Sequence, residues 1–218
     1  MLVRPYKWEE RRVLLKDRVL YVPERLENYE EYQFPGFAEV FGNENPVNIE
    51  YCSGNGAWIV EKAKENPQIN WVAVELKFDR VRKIWNKAKA SNLNNLLIVY
   101  GEASLSTQLY FPKQSVQEVF INFPDPWPKR RHFKNRLIQS SFIDLLKKVM
   151  KPSGLFTFVT DDPPYSKVLI QEMQQHPEFA SLYQDPFFVN ELEGYGSSFF
   201  EELWRSKGMK IRYHRYRL

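Results

Sequence analysis

Phe123-Pro124-Asp125-Pro126-Trp127-Pro128-Lys129 sets one carboxylate among three prolines at alternate positions. Each proline fixes φ and removes a backbone donor. Each also biases the residue before it toward extended backbone. The segment therefore predicts Asp125 on a stiff, extended stretch just beyond the alternating apolar run 116–123. A carboxylate held in that way is placed for chemistry or recognition. Lys129, Arg130, Arg131, His132, Lys134 and Arg136 follow at once and make the next stretch dense in cations. A fixed acid beside a basic run suits a polyanion: the acid accepts hydrogen bonds from one part, and the cations hold its phosphates.

The elements that must position this loop come from periodicity. Residues 1–45 are polar, aromatic and poorly periodic, and predict an N-terminal arm with a short helix over 34–41. From 46 to 218 strand and helix signals alternate as one domain. Strands are expected at 47–51, 70–75, 95–100, 116–122 and 155–160, with further ones at 187–191 and 210–216. Helices are expected at 57–65, 78–91, 135–150 and 197–205, with a short one that Ser104 would cap and another capped by Asp161 or Asp162. Pro163 and Pro164 are tolerated in a first helical turn. Repeated βα units imply an α/β three-layer sandwich around a mostly parallel sheet. Ligands in such sheets lie beyond the carboxyl ends of the strands.

Acids stand at those ends. Glu50-Tyr51-Cys52-Ser53-Gly54-Asn55-Gly56 follows the first strand. Small residues there let the backbone pass close to a ligand. The dinucleotide fingerprint is incomplete, because Ile59 stands where its third glycine would be. A pyrophosphate has no use for Glu50, whereas an amino acid bearing a sulfonium does. Glu75 ends the second strand, where an acid accepts from the hydroxyls of a ribose. Glu102 follows the third and is placed to accept from the exocyclic amine of an adenine. Three acids without a phosphate loop favour S-adenosylmethionine over a dinucleotide.

The net charge of +4 hides an uneven distribution. Arg4, Lys7, Arg11, Arg12, Lys16 and Arg18 form one basic cluster, residues 129–136 a second, and residues 205–217 a third, interleaved with Tyr213, His214 and Tyr216. Such patches fit nucleic acid, although solvated surface charge explains any one of them. Cys52 is the single cysteine, which excludes an intrachain disulfide and suits a reducing compartment. No Cys/His spacing resembles a metal site. No stretch reaches the roughly 18 apolar residues of a membrane span, and the charged N-terminus lacks a signal core. A cytoplasmic protein is expected. Monomer and homodimer both stay open.

Taken with Thr160-Asp161 and Ser198-Phe199-Phe200-Glu201, these segments resemble the bacterial tRNA (guanine-N7-)-methyltransferase family over residues 34–216. The F-P-D-P-W-P-K stretch with His132 is the specific part; the glycine turn is not. The resemblance implies a class I, Rossmann-like methyltransferase fold with a seven-stranded sheet whose C-terminal end carries an antiparallel strand. It implies S-adenosylmethionine as cofactor, with Glu50, Ser53, Gly54, Gly56, Glu75, Glu102 and Asp125 lining its site and Asp125 also catalytic. It implies that Lys129, Asp161, Ser198, Phe199, Phe200 and Glu201 bind the substrate, a guanosine in the variable loop of tRNA, while Arg130, Arg131, His132, Lys134 and Arg136 contact RNA. The chain departs from the family pattern at Cys52 (a glycine there), Glu102 (Asp), Ser198 (Thr) and the apolar pair Phe199-Phe200.

Guanine N7 carries an in-plane lone pair, so its attack on a sulfonium methyl needs no prior proton removal. Alignment and electrostatics are then the main tasks. Asp125, Asp161 or Glu201 would read the guanine edge, and Trp127 or Tyr195 is a candidate to stack on the base. Two readings compete. Asp162-Pro163-Pro164-Tyr165 resembles the motif of enzymes that methylate an exocyclic amine of adenine, cytosine or glutamine, but it equally makes a helix cap followed by proline. The other is a tRNA-binding protein without catalysis, against which the acids after the first three strands argue.

Overall fold

The computed structural model describes residues 2–196 and 199–218, the side chains of Phe199 and Phe200 excepted. Among the described residues, nine strands join one sheet. β3 (Val47–Tyr51), β4 (Asn70–Glu75), β5 (Leu96–Tyr100), β6 (Val116–Asn122) and β7 (Met150–Thr160) run parallel in the spatial order β5-β4-β3-β6-β7. β9 (Arg212–Arg217) is antiparallel to β7, and the two-residue β8 (Ala180–Ser181) closes that edge.

The chain first builds outward from β3 through α2 (Ala57–Glu65), β4, α3 (Phe78–Ala90) and β5. It then returns by α4 (Ala103–Tyr110) to lay β6 on the other flank of β3. Strand order reverses there, so the loops after β3 and β6 leave the sheet side by side, where open α/β sheets take their ligands. α5 (Ser140–Val149) and α6 (Pro163–Gln174) flank β7 in the sequence, and α7 (Phe199–Ser206) precedes β9.

Alternation along each strand feeds two cores. Val72 and Val74 of β4 face one with Phe142, Ile143, Leu146 and Leu169, whereas Trp71 and Ala73 face the other with Trp58, Ile59, Val81 and Ile84. Val81, Ile84 and Ala88 are the buried stripe of α3, at helical spacing. Helices thus cover both faces, as expected of the three-layer sandwich.

The seven strands expected become nine. The stretch read as an arm contains a hairpin, β1 (Leu14–Lys16) and β2 (Val19–Tyr21), and β2 pairs in parallel with β5. Its two-residue turn, Asp17-Arg18, has φ of 53° and 61°. That is the doubly left-handed turn suited to hairpins, made without the glycine that would have advertised it. The short helix expected in the arm is α1 (Phe37–Phe41). The helix expected from 135 to 150 is shortened to α5, and a 3₁₀ turn, Arg130–Asn135, precedes it. The strand expected over 187–191 reduces to one bridge, Val189 to Tyr213. No helix among the described residues is long and apolar enough to cross a membrane.

Candidate active site

Five adjacent strands each carry an acid to the same rim: Glu102 just after β5, Glu75 ending β4, Glu50 in β3, Asp125 after β6 and Asp161 after β7. Glu75 is 5% exposed and organises two loops. Its Oε2 accepts from the N–H of Gly54 at 2.9 Å, and its Oε1 from that of Lys77 at 2.8 Å. Arg80 approaches Oε2 at 3.7 Å. The carboxylate therefore ties the turn after β3 to the start of α3, and each oxygen keeps a lone pair for a further donor.

That turn needs left-handed backbone three times, at Cys52 (φ 60°), Gly54 (57°) and Gly56 (73°). A Cβ at Gly56 would lie 2.7 Å from Cγ1 of Ile84, so the glycine there lets α2 and α3 pack together. Cys52 adopts the conformation despite its side chain, at a cost on the order of 1 kcal/mol. Burial, then the charges of Glu75 and Glu50, push its thiol up to about 12 and keep it protonated.

Glu50 is 2% exposed. Nδ2 of Asn122 donates to its Oε1 at 2.8 Å, while its Oε2 is buried with no partner. Burial pushes the carboxyl up to about 7, against the pull of Asn122 and of the Ser53 hydroxyl and with a further push from the charge of Glu75. An unsatisfied buried carboxylate oxygen is expensive. It asks for a cationic donor, and the ammonium of S-adenosylmethionine's amino-acid end is one. The residues present fit that cofactor.

The sequence predicts Glu102 as an adenine contact and Ser104 as the cap of the following helix. The structure makes Glu102 itself the cap of α4, accepting from the N–H groups of Ser104 at 3.0 Å and Leu105 at 2.6 Å. It is only half-buried, so its remaining lone pairs stay within reach of a ligand.

The proline loop departs from the extended stretch expected. Phe123 and Trp127, each preceding a proline, have φ of 48° and 42°. The chain turns sharply on both sides of Asp125, an exposed carboxylate whose Oδ1 accepts from the N–H of Trp127 at 3.1 Å. Left-handed residues of this kind cost about 1–3 kcal/mol each and gather at functional sites. Asp125 lies close enough to Cys52 to raise its thiol further, which joins the β6 loop to the β3 turn electrostatically.

Lys129, Arg130, Arg131 and Lys134 are exposed, as phosphate contacts must be. Arg136, expected among them, is 8% exposed. Its Nε donates to the carbonyl oxygen of Pro126 at 2.7 Å, and its guanidinium lies 3.7 Å from the ring centre of Phe133. It braces the loop from within, which corrects the RNA contact proposed for it. His132 is half-buried, edge-on to Trp127 at 5.5 Å, with Nε of Arg131 3.2 Å from its Nε2.

Asp161 is half-buried, and burial followed by the charge of Asp162 raises its carboxyl. Asp162 is the cap of α6: its Oδ1 accepts from the N–H of Tyr165 at 2.6 Å, with Pro163 and Pro164 opening the helix. Tyr165 is 0% exposed and its oxygen accepts from the N–H of Ile138 at 3.3 Å. D-P-P-Y is therefore a cap and a core residue.

Glu201 is 7% exposed, and its Oε1 accepts from the Tyr213 hydroxyl at 2.6 Å and from Nε of Arg205 at 2.9 Å. Tyr195, a stacking candidate, is 8% exposed and donates its hydroxyl to Oδ1 of Asn122 at 2.6 Å, so it is not free to meet a base. Asn122 and this use of Tyr195 were missed. The signal was a polar residue, Asn122, directly following the apolar run Val119-Phe120-Ile121 at the end of β6. Ser198 lies outside the described residues, as do the side chains of Phe199 and Phe200. Among the described residues, no group of three or more His, Cys, Asp or Glu could hold a metal ion.

Known proteins bear on this rim. The family described as "Putative methyltransferase" matches residues 44–213. Over 209 residues the chain is 46% identical to the tRNA (guanine-N(7)-)-methyltransferase of Chlamydia felis (strain Fe/C-56), covering 96% of this chain and 92% of that protein. The corresponding protein of Chlamydia muridarum (strain MoPn / Nigg) is 48% identical over 207 residues, covering 95% and 92%. That of Clostridioides difficile (strain 630) is 34% identical over 171 residues, covering 78% and 79%. Among solved structures, the 16S rRNA methyltransferase KamB superposes with a TM-score of 0.57 at 18% identity, covering 86% of this chain and 95% of that one. A SAM-dependent methyltransferase from Aquifex aeolicus does so with 0.56 at 13%, covering 82% and 86%. These two likenesses speak for the fold, that of class I methyltransferases. Identity sustained over nearly the whole of both chains goes further: this chain is a member of the tRNA (guanine-N7-)-methyltransferase family.

Proposed function

We propose that this chain transfers the methyl group of S-adenosylmethionine to N7 of a guanosine in tRNA, within the variable loop. One observation carries the reading. At the point where strand order reverses, a buried carboxylate with a free oxygen, Glu50, stands beside a loop that presents the exposed carboxylate Asp125. The names of the curated relatives support the target.

When bound, S-adenosylmethionine supplies a methyl group made electrophilic by its sulfonium. Glu50 would accept from the ammonium through Oε2, and the turn of Ser53, Gly54 and Gly56 would hold the amino-acid end. Glu75 accepts from the ribose hydroxyls with the lone pairs left by Gly54 and Lys77. Glu102 receives the adenine amine while it caps α4.

The guanine needs no base, since its N7 lone pair attacks directly and leaves the purine cationic. A carboxylate beside the ring stabilises that developing charge. It also accepts from guanine N1–H and the 2-amino group, a donor pair that adenine lacks. Of Asp125, Asp161 and Glu201, the first two are exposed or half-exposed and Glu201 is buried, so the edge is read by Asp125 and Asp161. Glu201, already accepting from Tyr213 and Arg205, organises the substrate segment that Ser198, Phe199 and Phe200 share with it. Lys129, Arg130, Arg131, His132 and Lys134 hold the RNA backbone.

The test is transfer of labelled methyl to unmodified bulk tRNA by the wild type and by Asp125→Ala, with the product nucleoside identified by mass spectrometry. The expected product is 7-methylguanosine, and the variant is expected to fall by a factor of about 100 or more. A methylated exocyclic amine, or tRNA binding without transfer, would overturn the proposal.

A further inference from the structure

Tyr195, Asn122 and Glu50 form one hydrogen-bonded line. The Tyr195 hydroxyl donates to Oδ1 of Asn122, and Nδ2 of Asn122 donates to Oε1 of Glu50, across 2.6 Å and 2.8 Å. The three residues are 8%, 7% and 2% exposed. Only one orientation of the Asn122 amide serves both neighbours. Turned over, its oxygen would face the Glu50 carboxylate, acceptor against acceptor. Burial keeps the Tyr195 hydroxyl protonated and hence a donor. The line thus fixes which oxygen of Glu50 is held and which is left free.

Tyr195 is itself held from several sides. Its carbonyl oxygen accepts from Nε1 of Trp58 at 3.0 Å. Its ring lies 5.1 Å from that of Trp58 and edge-on to Tyr213 at 5.4 Å. Trp58 belongs to the first turn of α2, directly after the glycine turn, and Tyr213 bonds to Glu201. A side chain anchored in this way sets the position of a bond partner; it does not follow it.

Resting on the reading in which Glu50 receives the donor's ammonium, we infer that Asn122 and Tyr195 are positioning residues that aim the free oxygen of Glu50 at the amino-acid end of the methyl donor. Neither touches the reacting atoms. Both act on affinity for one end of the ligand, and the adenosine end is indifferent to them.

The experiment compares two ligands by calorimetry. S-adenosylhomocysteine carries the amino-acid end, and 5′-methylthioadenosine has the same adenosine without it. Tyr195→Phe removes one hydroxyl and keeps the ring that packs on Trp58 and Tyr213. It is expected to weaken S-adenosylhomocysteine by about five- to tenfold, the effect of one lost buried hydrogen bond, and to leave methylthioadenosine unchanged. Asn122→Ala is expected to weaken it at least as much, and the double variant no further, since both cut one line. Equal losses for both ligands, no loss for S-adenosylhomocysteine, or losses that multiply in the double variant would overturn the inference. A melting curve of Tyr195→Phe keeps the test valid if Asn122→Ala does not fold. If the wild type itself shows no preference for S-adenosylhomocysteine over methylthioadenosine, the Glu50 reading fails and the inference falls with it. If it shows that preference and the variants keep it, the inference alone fails.

Discussion

Nε of Arg136 donates to the carbonyl oxygen of Pro126 across 2.7 Å, one residue beyond Asp125. This bond separates two uses of arginine within one basic run. Lys129, Arg130 and Lys134 are exposed to solvent, whereas Arg136 holds the loop that presents the acid.

Arg136→Ala should therefore behave as a loop variant. Removing a buried, charged donor leaves the Pro126 carbonyl unsatisfied and costs roughly 2–4 kcal/mol of stability. Methyl transfer should fall with it, because Asp125 loses its support. The slope of log affinity for tRNA against log salt should not change. Arg130→Ala should do the reverse: transfer at saturating tRNA is retained, and the salt slope falls by about one. Salt titrations of both variants check this. A slope lowered in Arg136→Ala would return that residue to the RNA surface.

Tyr165→Phe separates the two methyltransferase readings in the sequence. The Tyr165 hydroxyl accepts from the Ile138 N–H inside the core. Its removal should leave methyl transfer within about twofold of wild type at a permissive temperature. It should lower the melting point by roughly 2–10 °C, since an orphaned buried N–H costs about 1–3 kcal/mol. A tyrosine whose hydroxyl engaged an exocyclic-amine substrate would give the opposite pattern, a dead enzyme with unchanged melting, and one that stacked on it through the ring would be disabled by Tyr165→Ala.

The alternation of the parallel strands and the acids at their ends were legible because both depend on local spacing. β3 to β6 fall within one residue of their expected bounds, β7 ends where expected but begins five residues earlier, at Met150, and Glu50, Glu75, Asp125 and Asp161 arrive at one rim. What was not legible was tertiary. The Asp17-Arg18 hairpin turn lacks a glycine, and its three-residue strands are too short for a period to show. The left-handed backbone at Phe123 and Trp127 runs against the local bias of a residue before proline, so only the surrounding fold holds it. Arg136 and Lys134 look alike in sequence, and what sets Arg136 apart is the Phe133 ring and the Pro126 carbonyl it meets.

The unpartnered oxygen of Glu50 makes the unliganded protein sensitive to pH in a direction that can be fixed. Its folded value is raised from 4.5 to about 7, chiefly by burial. The stability of the neutral, buried form is therefore fully present below about pH 4.5 and is lost as pH rises through about 7. Charging the group in the folded state costs on the order of 3 kcal/mol. Glu50→Gln does not titrate, so its melting point relative to wild type should climb by several degrees from about pH 5 to about pH 8. His214 works the other way: burial lowers it from 6.5 to about 4, so its contribution is lost as pH falls from about 6.5 toward 4. It is common to both proteins and cancels in the difference. Binding of S-adenosylhomocysteine should mirror this in the wild type, weakening by up to about tenfold per pH unit below 7 as Glu50 takes up a proton. Glu50→Gln should bind weakly and without that slope. Melting curves and calorimetry across this range check both, and a pH-independent melting difference would refute the assignment of the buried charge to Glu50.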